Sequence, residues 1–363
     1  MTNYDVIIVG GGTAGLMLAR ELGRQKHKVL ILDRKKNLLE FSFNTLGSFI
    51  DLEEFQLSEK VVAQKIDTAV IHSKFLKENI NVDAYILDKK ELHKEILESL
   101  DTALVDIQLG VHIKEIKTDN ENNFSSVIDK NGVEYSAKIF VDASGTSGVL
   151  SKKIGLIPKV TDLATGVEYN VKYTGKKNEF HLLIGKDYKG GYGWIFPLKN
   201  KRAIIGFGTF DKSMVKNLKE NLHAVLELPN IKKLVTKDND LVEGGSIPIT
   251  PVIDKFIKGN LVCVGDSVSQ VNPIVGEGYK FIFEAAIMVS IAISRSLLND
   301  DLNLLSDYET NWKKRFLSNY KRSKVAQERI FSLSKKDYLT DFGMILLKLR
   351  ANKKNVQTLS GEY

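Results

Sequence analysis

Tyr4-Asp5-Val6-Ile7-Ile8-Val9-Gly10-Gly11-Gly12-Thr13-Ala14-Gly15 is the stretch that decides the fold. A nearly all-apolar run such as Tyr4–Val9 has the pattern of a parallel strand buried on both faces. Gly10, Gly11 and Gly12 break it, residues 14–22 carry helical spacing, and a second apolar strand over 29–32 ends at Asp33. Strand, glycine turn, helix and strand make one βαβ unit. Within that unit Gly10, Gly12 and Gly15 satisfy GxGxxG. The first allows the tight turn, the second lets backbone N–H groups approach a pyrophosphate, and the third lets helix and strand pack closely. The helix N-terminus then offers its partial positive charge to the phosphates. Asp33 stands where a carboxylate accepts hydrogen bonds from ribose hydroxyls, and its charge disfavours the 2′-phosphate of NADP.

The chain has 363 residues, 43% hydrophobic and 27% charged, with 27 Gly and 6 Pro. These values fit a globular chain of about two domains and exclude disordered, collagen-like and low-complexity architectures. No run reads as the roughly 20 apolar residues that cross a bilayer, and the start at Met1 lacks the basic segment of a signal peptide. The single cysteine, Cys263, permits no internal disulfide, no CxxC pair and no thiolate zinc site, and its apolar surroundings mark it as core. The expected location is cytoplasmic. The 52 Lys and Arg exceed the 45 Asp and Glu, leaving +7. Scattered as they are, these charges read as a solvated surface that also suits an acidic partner protein or an anionic membrane. No nucleic-acid motif accompanies them.

Along the chain, 37–54 reads as irregular, 68–72 and 82–87 as strands outside the parallel sheet, and 91–100 as a helix. Residues 111–116, 126–129 and 133–135 read as a meander turning at Asn131-Gly132, and 138–141 as a buried strand that ends in Asp142-Ala143-Ser144-Gly145. The middle region changes character. Residues 166–173, 179–184, 191–196 and 202–208 alternate like an antiparallel sheet, with 212–228 as one amphipathic helix against it. Residues 261–264 form another buried strand ending in Gly265-Asp266, followed by the Pro273-Ile274-Val275-Gly276-Glu277-Gly278 turn and a long apolar helix over 278–298. Asp266 can reach the hydroxyls of a ribityl chain. A helix N-terminus aimed at the pyrimidine end of a flavin stabilises the anion of the reduced ring. Residues 302–334 continue as helix, and the polar tail after Asn352 reads as disordered. Residues 338–350 carry an apolar stripe flanked by Lys348, Arg350, Lys353 and Lys354, fit to dock on the protein's own body or on an anionic membrane.

The glycine-rich start, Asp142-Ala143-Ser144-Gly145 and Gly265-Asp266 match, in order, the three FAD motifs of p-hydroxybenzoate-hydroxylase-like flavoproteins. Residues 265–278 resemble the signature of the geranylgeranyl reductase family, and Gly191-Tyr192-Gly193-Trp194-Ile195-Phe196-Pro197 resembles that family's YxWxFP element. The resemblance spans about residues 4–300. It implies an α/β chain, with a GR2-type Rossmann-like FAD-binding domain (1–65, 88–156 and 256–300). An interleaved antiparallel β-sheet substrate domain (66–87 and 157–255) and C-terminal helices (301–363) complete it. The implied FAD contacts are Gly10, Gly12, Thr13, Ala14, Gly15, Asp33, Arg34, Gly145, Gly265, Asp266, Pro273, Gly276, Gly278 and Tyr279. Lys89 stands where the family usually has an arginine near the phosphates, and Val111 near the adenine contact. Family members with a cysteine in the loop after the second strand have no counterpart here, since 41–48 contains none.

Tyr192, Trp194 and Phe196 alternate, so they share one strand face. Ordinary sheet core is one reading of them. The resemblance makes them, with Pro197, the wall of an apolar cavity. The implied reaction is reduction of C=C bonds in a prenyl chain by hydride from reduced FAD, with a proton from an acid that the sequence does not name. Electrons come from transiently bound NAD(P)H or from an acidic ferredoxin or flavodoxin. The rival readings are a flavin monooxygenase or halogenase, a lycopene-cyclase-like isomerase, and an FAD-bearing scaffold or sensor. The six histidines show no metal spacing and no hydrolytic triad is evident; His181, on a middle-region strand, is read as packing.

Overall fold

Two sheets divide the chain, and the helices are distributed between them. The computed structural model describes residues 4–121, 123–157, 162–188, 190–249, 253–274, 276 and 278–363. In order, the elements are β1 (Tyr4–Val9), α1 (Thr13–Arg24), β2 (Val29–Asp33), β3 (Thr45–Ser48), β4 (Val62–His72), β5 (Lys77–Asp88) and α2 (Lys89–Glu98). Then come β6 (Val105–Leu109), β7 (Ile113–Thr118), β8 (Phe124–Asp129), β9 (Glu134–Asp142), β10 (Leu163–Tyr173), β11 (Glu179–Leu183), β12 (Gly191–Leu198) and β13 (Arg202–Thr209). The remainder is α3 (Leu218–Leu226), α4 (Pro229–Lys232), β14 (Val235–Thr236), β15 (Val242–Pro248), β16 (Ile257–Lys258) and β17 (Leu261–Cys263). Four helices end the chain: α5 (Tyr279–Asn299), α6 (Ser306–Ser334), α7 (Asp337–Leu349) and α8 (Asn352–Ser360).

The first sheet runs β16-β17-β9-β1-β2-β6; β17, β9, β1, β2 and β6 are parallel to one another, and β16 pairs antiparallel with β17. From β1 the chain moves through α1 to β2 on one side, and β9 lies on the other. The strand order therefore reverses between β1 and β9, and the crevice outside the carboxyl ends of such strands is where ligands bind. Residues 133–135 and 138–141, expected as two strands, are one nine-residue strand. Its first three residues pair with β8 and its apolar remainder with β1, so polarity changes along it while the backbone stays extended. Five strands were not expected as strands from the sequence: β3, β6, β14, β15 and β16. β6 exposes most of its residues at the sheet edge and carries little apolar signal.

The second sheet runs β14-β10-β13-β12-β11-β4-β5-β3, with β15 on β10. β11 pairs parallel with β4 in an otherwise antiparallel sheet. Thr45–Ser48, expected among irregular residues, is hydrogen-bonded to β5 in this sheet. On one sheet face Tyr169, Val171, Ile195, Ile205 and Phe207 pack with Leu222 and Val225 of α3. That helix is shorter than expected. Asp211 caps Ser213 N at 2.8 Å to start a 3₁₀ segment over Lys212–Asn217, and Pro229 begins a new helix.

The expectation that no run is apolar enough to cross a bilayer is corrected by α5, a 21-residue helix that meets the length and composition requirement. Its residues Phe281, Phe283, Ala285, Ala286, Val289 and Ile293 lie in the main core with α1 and with Trp312 and Phe316 of α6. The tail after Asn352, expected to be disordered, forms α8. Asn352 exchanges hydrogen bonds with the Asn81 backbone at 3.0 and 3.1 Å, and Arg315 binds both carboxylate oxygens of Glu362. The stripe of α7 splits. Met344 is buried against the second sheet and Thr340 is also buried, whereas Tyr338, Phe342, Ile345, Leu346 and Leu349 are exposed.

Asn260, just before β17, ties the start of β8 to β9. Its amide donates to the carbonyls of Phe124 and Lys138, both at 2.8 Å, and its carbonyl accepts from Phe124 N at 2.7 Å. Asn260→Ala strands these backbone groups and is expected to lower the unfolding free energy by roughly 1–3 kcal/mol in a urea titration. A change below about 0.5 kcal/mol would mean that water replaces all three bonds.

Candidate functional site

Gly10 has φ +113°, and a Cβ there would stand 2.3 Å from the Ala143 carbonyl oxygen. A Cβ on Gly15 would stand 1.9 Å from Gly10 O. Only glycine at both positions brings the ends of β1 and β9 and the first turn of α1 together. At Gly12 the opposite holds: a Cβ would meet nothing within 4 Å, and no side chain caps α1. The free N–H groups of the α1 N-terminus therefore face open space, as anion binding requires. Asp33 holds the turn, with Oδ2 accepting from Gly11 N at 2.6 Å and Oδ1 from Lys35 N at 2.7 Å. A carboxylate has about four acceptor positions, so capacity for ribose hydroxyls remains.

The segment after β9 is organised by Asp142, which is fully buried. Its Oδ2 accepts from Leu150 N, Ser151 N and Ser151 Oγ at 2.8–2.9 Å, and its Oδ1 from Ser144 N and Oγ. This turns Ala143, Ser144 and Gly145 toward a cavity of about 600 Å³, within the usual range for small-molecule sites. Gly10, Gly12, Thr13, Ala14, Asp33, Arg34, Lys89, Val111, Gly145, Asp266, Gly276, Gly278 and Tyr279 all line this one cavity, as do Tyr192, Trp194 and Phe196. A second helix N-terminus, that of α5 with Gly278 as its uncapped first position, opens onto the same space. Burial raises the Asp266 carboxyl to about 6 despite nearby Lys89, so it is an anionic acceptor at neutral pH.

Four expected site residues stay off the wall. Gly15 is a packing contact, and Gly265, with φ +73°, presses on Ala14 from the next turn. Pro273 takes the side-chain amide of Gln327 on its carbonyl. Pro197 is corrected by parity: it shares the buried face of Gly191, Gly193 and Ile195, away from Tyr192, Trp194 and Phe196. Val275 and Glu277 of the quoted turn lie outside the described residues. His181 bonds Tyr173 and His72 at 2.8 and 2.9 Å within the second sheet and takes no part in the cavity.

On the sheet wall Trp194 lies flat over three glycines. A Cβ on Gly206 would be 2.1 Å from its ring, on Gly166 2.9 Å and on Gly208 3.2 Å. The register places Glu168, Gly206 and Trp194 in one row across β10, β13 and β12. The indole N–H reaches over Gly206 to donate to Glu168 Oε2 at 3.2 Å. His93 and Phe43, which the sequence did not single out, complete the wall beside Lys89. His93 Nε2 lies 3.0 Å from Thr13 Oγ1, and its pKa falls to about 3 through burial and then Lys89, which keeps the ring neutral. Lys89 sits 3.8 Å from the Phe43 ring centroid, and burial followed by Lys35 lowers it to about 8. The i, i+4 spacing of Lys89 and His93 is the signal that shows they share one face of α2.

Residues 3–310 match the FAD binding domain family model. Among curated relatives, a digeranylgeranylglycerophospholipid reductase of Methanosphaera stadtmanae is 28% identical over 298 residues, covering 77% of this chain and 72% of the relative. One of Methanococcoides burtonii is 23% identical over 358 residues, covering 92% and 85%. Among solved structures, a geranylgeranyl bacteriochlorophyll reductase-like protein of Thermoplasma acidophilum aligns with TM-score 0.83 at 21% identity, over 94% of this chain and 90% of that one. A flavin-dependent brominase aligns at 0.78 and 17%, over 99% and 94%. The resemblance to geranylgeranyl reductases is borne out, as is the α/β flavoprotein fold.

The residues present fit FAD: an open glycine turn, two uncapped helix N-termini, and carboxylates at Asp33 and Asp266. Asp33→Ala is expected to weaken FAD binding by about 1.5–3 kcal/mol, the worth of charge-assisted hydrogen bonds, in a fluorescence titration of the apoprotein. Unchanged affinity would exclude Asp33 as the ribose ligand.

Proposed function

Because the chain belongs to the FAD binding domain family, we propose that this FAD-dependent oxidoreductase reduces C=C bonds in a prenyl chain of the geranylgeranyl type. The observation that carries the reading is the aromatic wall of Tyr192, Trp194 and Phe196, facing the same cavity as the glycine turn. It is an apolar surface that grips a hydrocarbon and offers little to a small charged substrate. When bound, FAD supplies the hydride. The backbone N–H groups at Gly12 and Thr13 would hold the pyrophosphate, Asp33 the adenosine ribose, and Asp266 the ribityl hydroxyls. The α5 N-terminus, which opens onto the same cavity, would offer its positive end to the bound cofactor. Trp194 and Phe196, stacked with ring centroids 6.3 Å apart, exclude water from the reacting bond.

A second hollow adjoins the main cavity. Phe210 borders both the main cavity and this hollow, lined by Asp162, Lys212, Lys324 and Phe331, with the Phe210 and Phe331 rings 4.4 Å apart. A chain that threads past this ring pair brings a polar head group to the lysines. Trp194→Ala is expected to leave FAD bound and to change chain-length preference or the bond reduced, measured by product mass on prenyl substrates of graded length. An unchanged profile with only a lower melting temperature would return the wall to ordinary sheet core.

We also infer that α7 meets the membrane that holds such a lipid. Phe342 and Leu346 are each more than half exposed and Leu349 is 79% exposed, beside Lys348, Arg350, Lys353 and Lys354. An apolar face with a basic rim suits an anionic bilayer. The protein is expected to sediment with phosphatidylglycerol vesicles at low salt and not with phosphatidylcholine, and Phe342→Asp with Leu346→Asp should abolish this. Equal recovery on both vesicles, or none, contradicts the assignment.

A further inference from the structure

We propose that Glu168 is the acid that protonates the alkene, giving its carboxyl proton to the carbon next to the one that takes hydride. The proposal rests on the prenyl-reductase reading of the same cavity and names the residue that reading lacks. Glu168 lines the cavity beside Trp194, with only 6% of its surface exposed. Its Oε2 takes the indole N–H, while Oε1 has no hydrogen-bond partner among the described residues. A buried carboxylate with one bare oxygen is costly, and a neutral carboxyl is far less so.

The environment explains why the proton stays. Directly across the ladder on β15 lies Glu243, whose two oxygens take the backbone N–H and side-chain amide of Asn44 at 3.1 and 2.7 Å. Two carboxylates facing each other across the ladder disfavour a charge on the more buried one, Glu168. Burial, then Glu243, raises Glu168 to about 8, against the smaller opposing pull of the Trp194 hydrogen bond and Lys89. Five other titratable groups on the wall are less suited. His93 is neutral, Asp266 is ionised at neutral pH, and burial pushes the Tyr192 and Tyr279 hydroxyls up. Lys89 carries a proton but is held against the Phe43 ring at the start of α2.

Electrons and atoms balance simply. The π bond opens as one carbon gains the hydride that reduced FAD supplies and the other gains the Glu168 proton. The cofactor is left oxidised, and the carboxylate recovers a proton from water before the next cycle. Because the acid form is the active one, the rate is level below the Glu168 pKa and falls as pH rises through it.

Two measurements on the FAD-loaded protein test this. The first is infrared difference spectroscopy without substrate. A protonated-carboxyl band should be present at pH 7, disappear as pH rises through about 8, and be missing in Glu168→Gln. The second is anaerobic flavin reoxidation by a geranylgeranyl lipid across pH. Glu168→Gln should bind FAD and lipid within a few-fold of wild type, react about 10²- to 10⁴-fold more slowly, and lose the alkaline limb. Trp194→Phe removes a hydrogen bond that favours the carboxylate, so its limb should move to higher pH, and it serves if Glu168→Gln does not fold. A Glu168→Gln enzyme with wild-type rate and limb, or a wild type without the band at pH 7, overturns the proposal. A wild type that carries the band but reduces no prenyl chain overturns the functional reading, and the donor role with it.

Discussion

The close approach of three backbone segments at Gly10 is the constraint on which the rest depends. β1 ends there, α1 begins there, and the end of β9 lies against it, with Ala143 N donating to Val9 O at 2.9 Å. A single methyl group at Gly10 or Gly15 would force these segments apart by more than packing can absorb. With them held, the strand order reverses at this point, and the carboxyl ends of β1 and β9 open onto the cavity. The loop that Asp142 organises then forms the wall opposite the α1 N-terminus, and Gly265 brings the turn carrying Asp266 against Ala14.

The second sheet supplies the other half of the cavity under a similar steric rule. Trp194 can lie flat only because Gly166, Gly206 and Gly208 present no side chains beneath it. The flat ring gives an apolar surface and carries its N–H to Glu168. Charge is divided across the cavity accordingly. On the proposed function, helix N-termini and Asp33 surround the dinucleotide end, whereas the substrate end has aromatic rings and the Glu168 carboxyl, whose pKa burial raises. That division would suit a prenyl chain, which brings no charge of its own to pair with a buried ion.

Much of this was legible in the sequence wherever the determinant was local. The glycine spacing after β1, the Asp33 position and the alternation of Tyr192, Trp194 and Phe196 are set within a few residues, and the structure brings them to one cavity. Parity alone separates Pro197 from that wall, although the family resemblance implies that it belongs there. What was hidden depends on register between distant strands. The row of Glu168, Gly206 and Trp194 exists only once β10, β13 and β12 are paired. Likewise α8 is too polar to announce itself, its first residue being held by Asn81 and the residues after the helix by Arg315, both far along the chain. α5 passes for a membrane helix by composition because a helix buried among α1 and α6 is apolar on most sides.

The central claim is that a reduced flavin in this cavity passes its electrons to a carbon chain lying on Trp194. The most direct measurement mixes FAD-loaded, photoreduced protein with a geranylgeranyl lipid in the absence of oxygen, following flavin absorbance and product mass together. The account predicts that the oxidised flavin spectrum returns and that the lipid gains two hydrogen atoms for each bond reduced. A flavin that stays reduced until oxygen is admitted, with an oxygenated or halogenated product thereafter, would contradict it.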